Sequence, residues 1–303
     1  MAEHTAVLRR FNRTYTQRIG VLDESFLGTG FPLGVSRLLF EIGPSGATVR
    51  DLRERLDLDS GYLTRLLRRL GDDGLVDVRP DPDDRRRRLV SLTARGRTAW
   101  RRLDDRSEDL ARSIVDPLTE RQRDRLTEAL QTADLLVRAA TIHLRTVEPT
   151  DPAAVEAVGN YFAELDRRFP TGFDAGEGAH DAESMASGAG AFVVATSDGR
   201  PVACGGVQQV RPGVGEVKRM WVHPEWRGAG LGSRMLRHLE AEAARLGHRR
   251  VVLDTNATLV EAISMYERAG YSPTERYNEN PYAQAWFEKV LKGSGSRRRT
   301  ARA

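Results

Sequence analysis

The stretch VKRMWVHPEWRGAGLGSRMLRHLEAEA at 217–243 restricts the possible folds of this chain more than any other. It reads as an extended segment, then Arg227-Gly228-Ala229-Gly230-Leu231-Gly232, then an amphipathic helix. Glycines let a backbone pass close to a pyrophosphate, and unpaired N–H groups at a helix N-terminus favour its charge. A dinucleotide fold is the rival reading. It requires Gly-x-Gly-x-x-Gly after a hydrophobic first strand, and an acidic residue about 20 positions onward behind a second strand. The spacing here is Arg-Gly-x-Gly-x-Gly and no second nucleotide-binding half follows, so that rival is set aside.

The pattern around this turn predicts alternating helices and strands. Asp151 is a plausible cap for a helix running through Phe162 and Leu165. Strands are expected at AFVVAT (191–196), PVACGGVQQV (201–210), GEVKRMWV (215–222) and RVVLDT (250–255), then a helix at 259–269 and a terminal pair around Tyr271 and 283–291. The first half reads differently. Helical spacing covers 6–22, 33–42, 49–56 behind a Thr48 cap, and 60–72; two short strands, 75–79 and 88–93, flank the polar turn PDPDDRRR. Long helices follow at 94–115 and 119–143. A chain of 303 residues holds two cores comfortably. The expected division is a domain at 1–143, a second at 145–291 and a disordered basic tail at 292–303.

Helix, short helix, tight turn, helix and a two-stranded basic wing describe a winged helix-turn-helix. In the second helix of the turn, Leu63, Leu66, Leu67 and Leu70 share one face. Ser60, Tyr62, Thr64, Arg65, Arg68 and Arg69 are left for the major groove, and Arg85, Arg86 and Arg87 at the wing tip for phosphates. The segment DSGYLTRLLRRLGDDGLVDVRPDPDDRRRRLVSLTARG resembles the MarR family of regulators in its recognition helix, its Asp-Asp-Arg wing at 83–85 and its Leu-Thr-x-x-Gly strand end at 92–96. That resemblance, over about 5–143, implies a homodimer on a pseudo-palindromic duplex operator. Phe11, Tyr15, Leu126, Leu130, Leu135 and Leu136 are then candidates for the subunit interface, with an intrachain core as the alternative.

The glycine turn resembles motif A of the GNAT N-acetyltransferase superfamily, whose Arg/Gln-x-x-Gly-x-Gly/Ala pattern is met at Arg227, Gly230 and Gly232. Downstream, Asn256, Ala262 and Tyr266-Glu267-Arg268-Ala269-Gly270-Tyr271 continue the likeness, which spans about 145–291. It implies an α+β fold with a central mixed sheet, and acetyl-CoA as cosubstrate. The pyrophosphate is expected on the amides of Arg227, Gly228, Ala229, Gly230, Leu231 and Gly232; the pantetheine arm on Met220, Trp221, Val222 and Asn256. Tyr266 is the implied general acid, with core packing as the alternative. Glu216 is the candidate base. Tyr277, Asn278, Asn280 and Tyr282 are candidates for contact with an amine acceptor, either a small amine or a protein lysine.

Composition narrows the partners. The formal net charge of +4 falls entirely in residues 1–146 and is modest for a nucleic-acid partner; what counts is clustering of the arginines, at 65–69, 85–88 and 95–106. The lone Cys204 excludes an intrachain disulfide and a cysteine zinc site, and reads as buried filler; no metal is expected. No apolar run reaches the 18 to 20 residues of a membrane span and no secretory signal is visible, so the expected location is the cytoplasm, with no membrane partner. The leading reading is a bifunctional regulator and acetyltransferase. Its rivals are a regulator that only senses acetyl-CoA, disfavoured by Tyr266 and Asn256, and an enzyme whose winged helix serves dimerisation, disfavoured by Arg65, Arg68, Arg69 and the arginine wing.

Overall fold

The computed structural model describes residues 2–82, 84, 86–169, 172–174, 176 and 183–291. The chain divides into two compact units between Glu128 and Ala129.

The first unit holds α1 (Ala2–Arg18), α2 (Leu33–Ile42), β1 (Ala47–Thr48), α3 (Val49–Leu56), α4 (Ser60–Asp72), β2 (Val76–Pro80), β3 (Arg88–Leu92) and α5 (Ala94–Val115). Helix α6 (Glu120–Thr141) begins in this unit and ends in the second. Side-chain caps start three of these helices. Thr48 accepts from the Asp51 amide, Asp59 from the Tyr62 amide and Thr93 from the Gly96 amide. Leu63, Leu66, Leu67 and Leu70 of α4 are buried against Leu38, Leu39, Leu52 and Val90. Burial of each such leucine contributes about 1.5–3 kcal/mol. The strands form a three-stranded antiparallel sheet, β1-β3-β2. The short β1 is an addition to the sequence reading. The Leu-Thr-x-x-Gly signature has a steric cause: Thr93 Oγ1 donates to the Gly74 carbonyl at 2.7 Å, and a Cβ at Gly96 would collide with the Leu75 carbonyl. The first helix stops at Arg18, short of the expected residue 22, because Gly20 turns the chain with φ 65°.

The second unit holds β4 (Leu144–Val147), α7 (Pro152–Arg168), β5 (Gly190–Ser197), β6 (Arg200–Arg211), β7 (Val214–Val222), α8 (Leu231–Arg245), β8 (Arg250–Thr255), α9 (Val260–Arg268), β9 (Ser272–Pro273) and β10 (Ala285–Val290). Among the described residues the strands make one mixed seven-stranded sheet, β4-β5-β6-β7-β8-β10-β9, in which β7 and β8 are the parallel pair. Helix α7 covers one face, over Phe192, Val194, Cys204 and Trp221. Helices α8 and α9 cover the other, over Val193, Ala195, Val207, Leu253 and Phe287, where Ala139 of α6 is also buried. Coverage on both faces explains why AFVVA reads as an uninterrupted apolar run.

Two features of the sheet open the unit for function. β7 and β8 pair only from Val214–Arg250 to Glu216–Val252, and beyond that register the strands separate. On its other edge β7 carries a bulge: Cys204 pairs with Trp221 and Gly206 with Lys218, so Arg219 and Met220 together face Gly205. Arg219 takes a left-handed φ of 52° to accommodate it.

Candidate functional site

Beside the end of β7 lies a cavity of about 470 Å³, lined by Met220, Trp221 and Val222 of β7, Arg227, Gly228 and Gly230 of the turn, Gly232 and Ser233 of α8, and Tyr266 of α9. The glycine turn is built for an anion. Gly228 and Gly230 have φ of 77° and 80°, and no atom lies within 4 Å of where a Cβ would stand at either residue, so the backbone is open on that side. Gly230 is the N-cap of the fifteen-residue α8, whose amides point from the turn. Leu231 is buried and Ala229 packs against the core, which leaves only their backbones for a ligand. Gly232 serves packing as well: a Cβ there would come within 3.2 Å of Met265 Sδ.

The Arg227 side chain is engaged within the protein. Its Nε donates to the Val222 carbonyl at 3.1 Å and one Nη2 reaches both oxygens of Glu164. Glu164 also accepts from Trp221 Nε1 at 2.9 Å and pairs with Arg168. Burial pushes this carboxyl up, yet the donors outweigh it and hold Glu164 below the usual carboxylate range. Asn256 is likewise occupied: Nδ2 donates to the Tyr282 carbonyl at 2.8 Å, and Oδ1 accepts from the amide and hydroxyl of Thr258.

A second cavity, of about 460 Å³, shares Tyr161, Leu165, Met220, Leu259, Ala262 and Tyr266 with the first. One wall is aromatic. Phe162 stacks on Phe173 at 5.5 Å, Phe169 on Tyr282 at 5.7 Å, and Phe173 meets Tyr282 at 4.8 Å. The Tyr282 hydroxyl accepts from the Asp174 amide at 2.9 Å. The polar side contains Asp254, Asn278 and Asn280, with Lys218 and Arg219. Asp254 accepts from Asn278 Nδ2 at 2.9 Å and from Asn280 Nδ2 at 2.6 Å. Tyr266 stands where the two cavities meet. Burial, then the charge of Asp254, raises its phenol above the ordinary value, so it stays protonated and able to donate at neutral pH.

Glu216 lies behind this surface. It is 3% exposed and lines neither cavity as the described residues form them. Its oxygens accept from the Tyr277 hydroxyl at 2.9 Å, Asn278 Nδ2 at 3.2 Å and Gln208 Nε2 at 2.7 Å, with Lys218 Nζ at 3.9 Å. Burial raises its carboxyl above the usual range. Tyr277 is therefore turned toward Glu216, while Asn278, Asn280 and Tyr282 face the cavity. Cys204 is buried and its thiol is pushed up to about 12 by burial, which leaves it no role as a nucleophile. Among the described residues no three His, Cys, Asp or Glu side chains are placed to hold a metal, and no helix is long and apolar enough to cross a membrane.

Three contributors escaped the sequence reading. Asp254 left a visible sign, an acidic residue inside the apolar run RVVLDT. Glu164 and the phenylalanines of the wall, Phe162, Phe169 and Phe173, left none, since they sit on helices or loops whose facing partners, Tyr282 among them, are distant in sequence.

In the first unit, α4 exposes Ser60, Tyr62, Thr64, Arg65, Arg68 and Arg69 on one side. The Arg65 guanidinium lies 5.5 Å from the Tyr62 ring centre, and the Thr64 hydroxyl donates to the Ser60 carbonyl at 2.7 Å. In the wing, Asp84 accepts from the Arg86 amide at 3.0 Å and pairs with Arg87 at 3.2 Å, both arginines being exposed. Arg85 lies outside the described residues, as does the tail at 292–303. Phe11 and Tyr15 stack at 5.6 Å on an exposed stripe of α1 with Val7 and Leu8. Leu130 and Leu136 are exposed and Leu126 is half-buried, whereas Leu135 packs against the second unit's core, the intrachain alternative.

Comparison with known proteins matches each unit separately. The acetyltransferase (GNAT) family model matches residues 160–271 and the MarR family model residues 29–87. An IAA acetyltransferase from Azospirillum brasilense is 33% identical over 142 residues, covering 45% of this chain and 92% of that protein. The transcriptional activatory protein BadR from Rhodopseudomonas palustris is 45% identical over 56 residues, 18% of this chain and 32% of that protein. Among solved structures, a mutant MarR from E. coli complexed with operator DNA is 26% identical with a TM-score of 0.37, covering 43% of this chain and 95% of that one.

Proposed function

The chain belongs to the GNAT acetyltransferase family through its second unit and carries a MarR-family unit before it, and from this premise we propose a bifunctional protein: an operator-binding regulator that also transfers acetyl groups from acetyl-CoA to an amine. The observation that carries the catalytic half is the meeting of two cavities at Tyr266, between strands that part after Glu216–Val252. The first cavity has the open glycine turn and helix amides that a pyrophosphate needs, and the backbone of Met220, Trp221 and Val222 lies alongside for the pantetheine arm. Bound there, acetyl-CoA supplies an activated thioester.

The second cavity gives the amine its own approach. A neutral amine nitrogen attacks the thioester carbonyl, a C–N bond forms and the C–S bond breaks. The departing thiolate takes the Tyr266 proton, and the nitrogen's excess proton restores the phenol. No acyl-enzyme is needed. A domain that only senses acetyl-CoA has no use for an acceptor cavity beyond Tyr266, so its presence favours catalysis over sensing. For the first unit, we read the exposed arginines of α4 and the wing as the DNA face and the apolar stripe of α1 as a dimer contact. The cytoplasm is the compartment that holds both ligands. Calorimetry with acetyl-CoA, followed by release of free CoA in the presence of an amine panel, tests the enzyme reading. Binding and turnover are the expected results.

A further inference from the structure

The geometry points to Asp254 as the group that receives the acceptor's ammonium, and to a small amine with an aromatic body as the acceptor class. This rests on the acetyltransferase reading and narrows its acceptor. The sequence placed the proton acceptor at Glu216, but that carboxylate is buried behind Tyr277, Asn278 and Gln208 and lines neither cavity as the described residues form them. Asp254 lines the acceptor cavity, close enough to Tyr266 for its charge to act on that phenol. Its Oδ1 accepts from Asn278 and, at 3.5 Å, from the Tyr277 hydroxyl, whereas Oδ2 accepts from Asn280 alone, so a lone pair on Oδ2 remains for an ammonium. The two amides fix the carboxylate in place from the loop before β10, and Trp286 Nε1 steadies Asn278 in turn at 3.0 Å.

The body of the acceptor is specified by the opposite wall. Phe162, Phe169, Phe173 and Tyr282 pack on one another and line the same cavity that holds Asp254. An aromatic amine fills this space with its ring on the wall and its nitrogen at the carboxylate; a long aliphatic lysine chain of a peptide leaves the wall uncovered. Proton flow then balances. The ammonium gives one proton to Asp254, which passes it to solvent, and the neutral nitrogen enters the transfer described above. The charged and titratable groups that share the cavity with Asp254 are Tyr266 from α9, Tyr161 from α7, Lys218 and Arg219 from β7, and Asp174 and Tyr282 from the loops, with Tyr277 at 3.5 Å and Glu216 behind it.

The test uses the full chain with acetyl-CoA and three acceptors: phenethylamine, n-propylamine and a lysine-containing peptide. Products are identified by mass spectrometry and rates followed by CoA release. The expected result is a kcat/KM for phenethylamine at least about tenfold above either alternative, with Phe173→Ala erasing that preference through KM. Asp254→Asn should lower kcat by about 100-fold, within the range of acid–base catalysis. The loss should shrink as pH rises toward the amine's own pKa, where neutral nucleophile needs no base. Calorimetry showing unchanged acetyl-CoA binding in Asp254→Asn confirms that the variant is folded. Preferred acetylation of the peptide, or equal rates on all three acceptors, overturns the acceptor class while leaving an acetyltransferase. Full activity of Asp254→Asn at neutral pH overturns the role of Asp254. Wild-type protein that binds no acetyl-CoA would sink both this inference and the reading beneath it.

Discussion

Glu164 on α7 and Arg227 in the glycine turn are joined by one Nη2 that donates to both carboxylate oxygens, at 2.5 and 2.6 Å. The arginine that the family pattern marks thus anchors the turn to the opposite wall of the cleft, and Trp221 and Arg168 converge on the same carboxylate. The geometry makes Glu164 a positioning residue for the turn. Glu164→Gln should weaken acetyl-CoA binding several-fold in calorimetry while leaving the Tyr266 chemistry in place. The pH dependence has a definite sign. Because its donors outweigh burial and hold the folded pKa below the unfolded one, Glu164 contributes stability above the ordinary Glu value of about 4.3, lost as pH falls through the lowered folded value. The Tm gap between wild type and Glu164→Gln should therefore be present at neutral pH and close in acid; a gap that widens in acid contradicts the pairing.

Gly230 caps α8 with φ 80°, a conformation that L side chains rarely adopt, on the side open to the cavity. Gly230→Val should abolish acetyl-CoA binding, since it strains the turn and puts a branched side chain where a pyrophosphate would approach. Unchanged affinity by calorimetry rejects the turn as the phosphate site.

Tyr266→Phe removes one hydroxyl at the junction of the cavities. Turnover should fall by about 10²- to 10⁴-fold with acetyl-CoA affinity nearly intact, the pattern of a lost proton donor. Burial keeps the phenol protonated at neutral pH, the state in which it can donate. Turnover equal to wild type, under conditions where chemistry limits the rate, returns Tyr266 to core packing.

Much of this architecture is legible because the signals are local. The bounds of α2, α3, α4 and α5 match their patterns, and three of these helices begin at the caps Thr48, Asp59 and Thr93. The glycine turn is equally local, and its positive φ values need no tertiary context. What escaped depends on distant partners. Nothing in the helix sequence marks Glu164 as the receiver of Arg227, sixty-three residues on. Nor does the strand reveal that Arg219 bulges or that β8 leaves β7 after Val252, since both follow from how the whole sheet closes. Glu216 reads in the sequence as a carboxylate near a strand end, and only packing shows that Tyr277 and Gln208 already cover it.

The first unit makes the last prediction. A dimer built through the apolar stripe of α1 presents two α4 helices about one DNA turn apart, ~34–36 Å, so the operator should be a pseudo-palindrome. Arg86 and Arg87 project from the wing, where Asp84 shapes the turn, and should act on phosphates. Replacing both with alanine should weaken binding to every sequence alike and flatten the salt dependence, because each phosphate contact releases counterions. Arg65, steadied over the Tyr62 ring, is better placed to read a base edge. Arg65→Ala should then cost ~1–3 kcal/mol on the cognate site and much less elsewhere; Arg68 and Arg69, exposed on the same helix, are the substitutes if it does not. Selection of bound genomic fragments at physiological salt, with sedimentation of the full chain, checks both halves. An enriched inverted repeat bound by a dimer is the expected outcome. A monomer that enriches no repeat would leave the arginines of α4 as solvated surface and the first unit without a DNA partner.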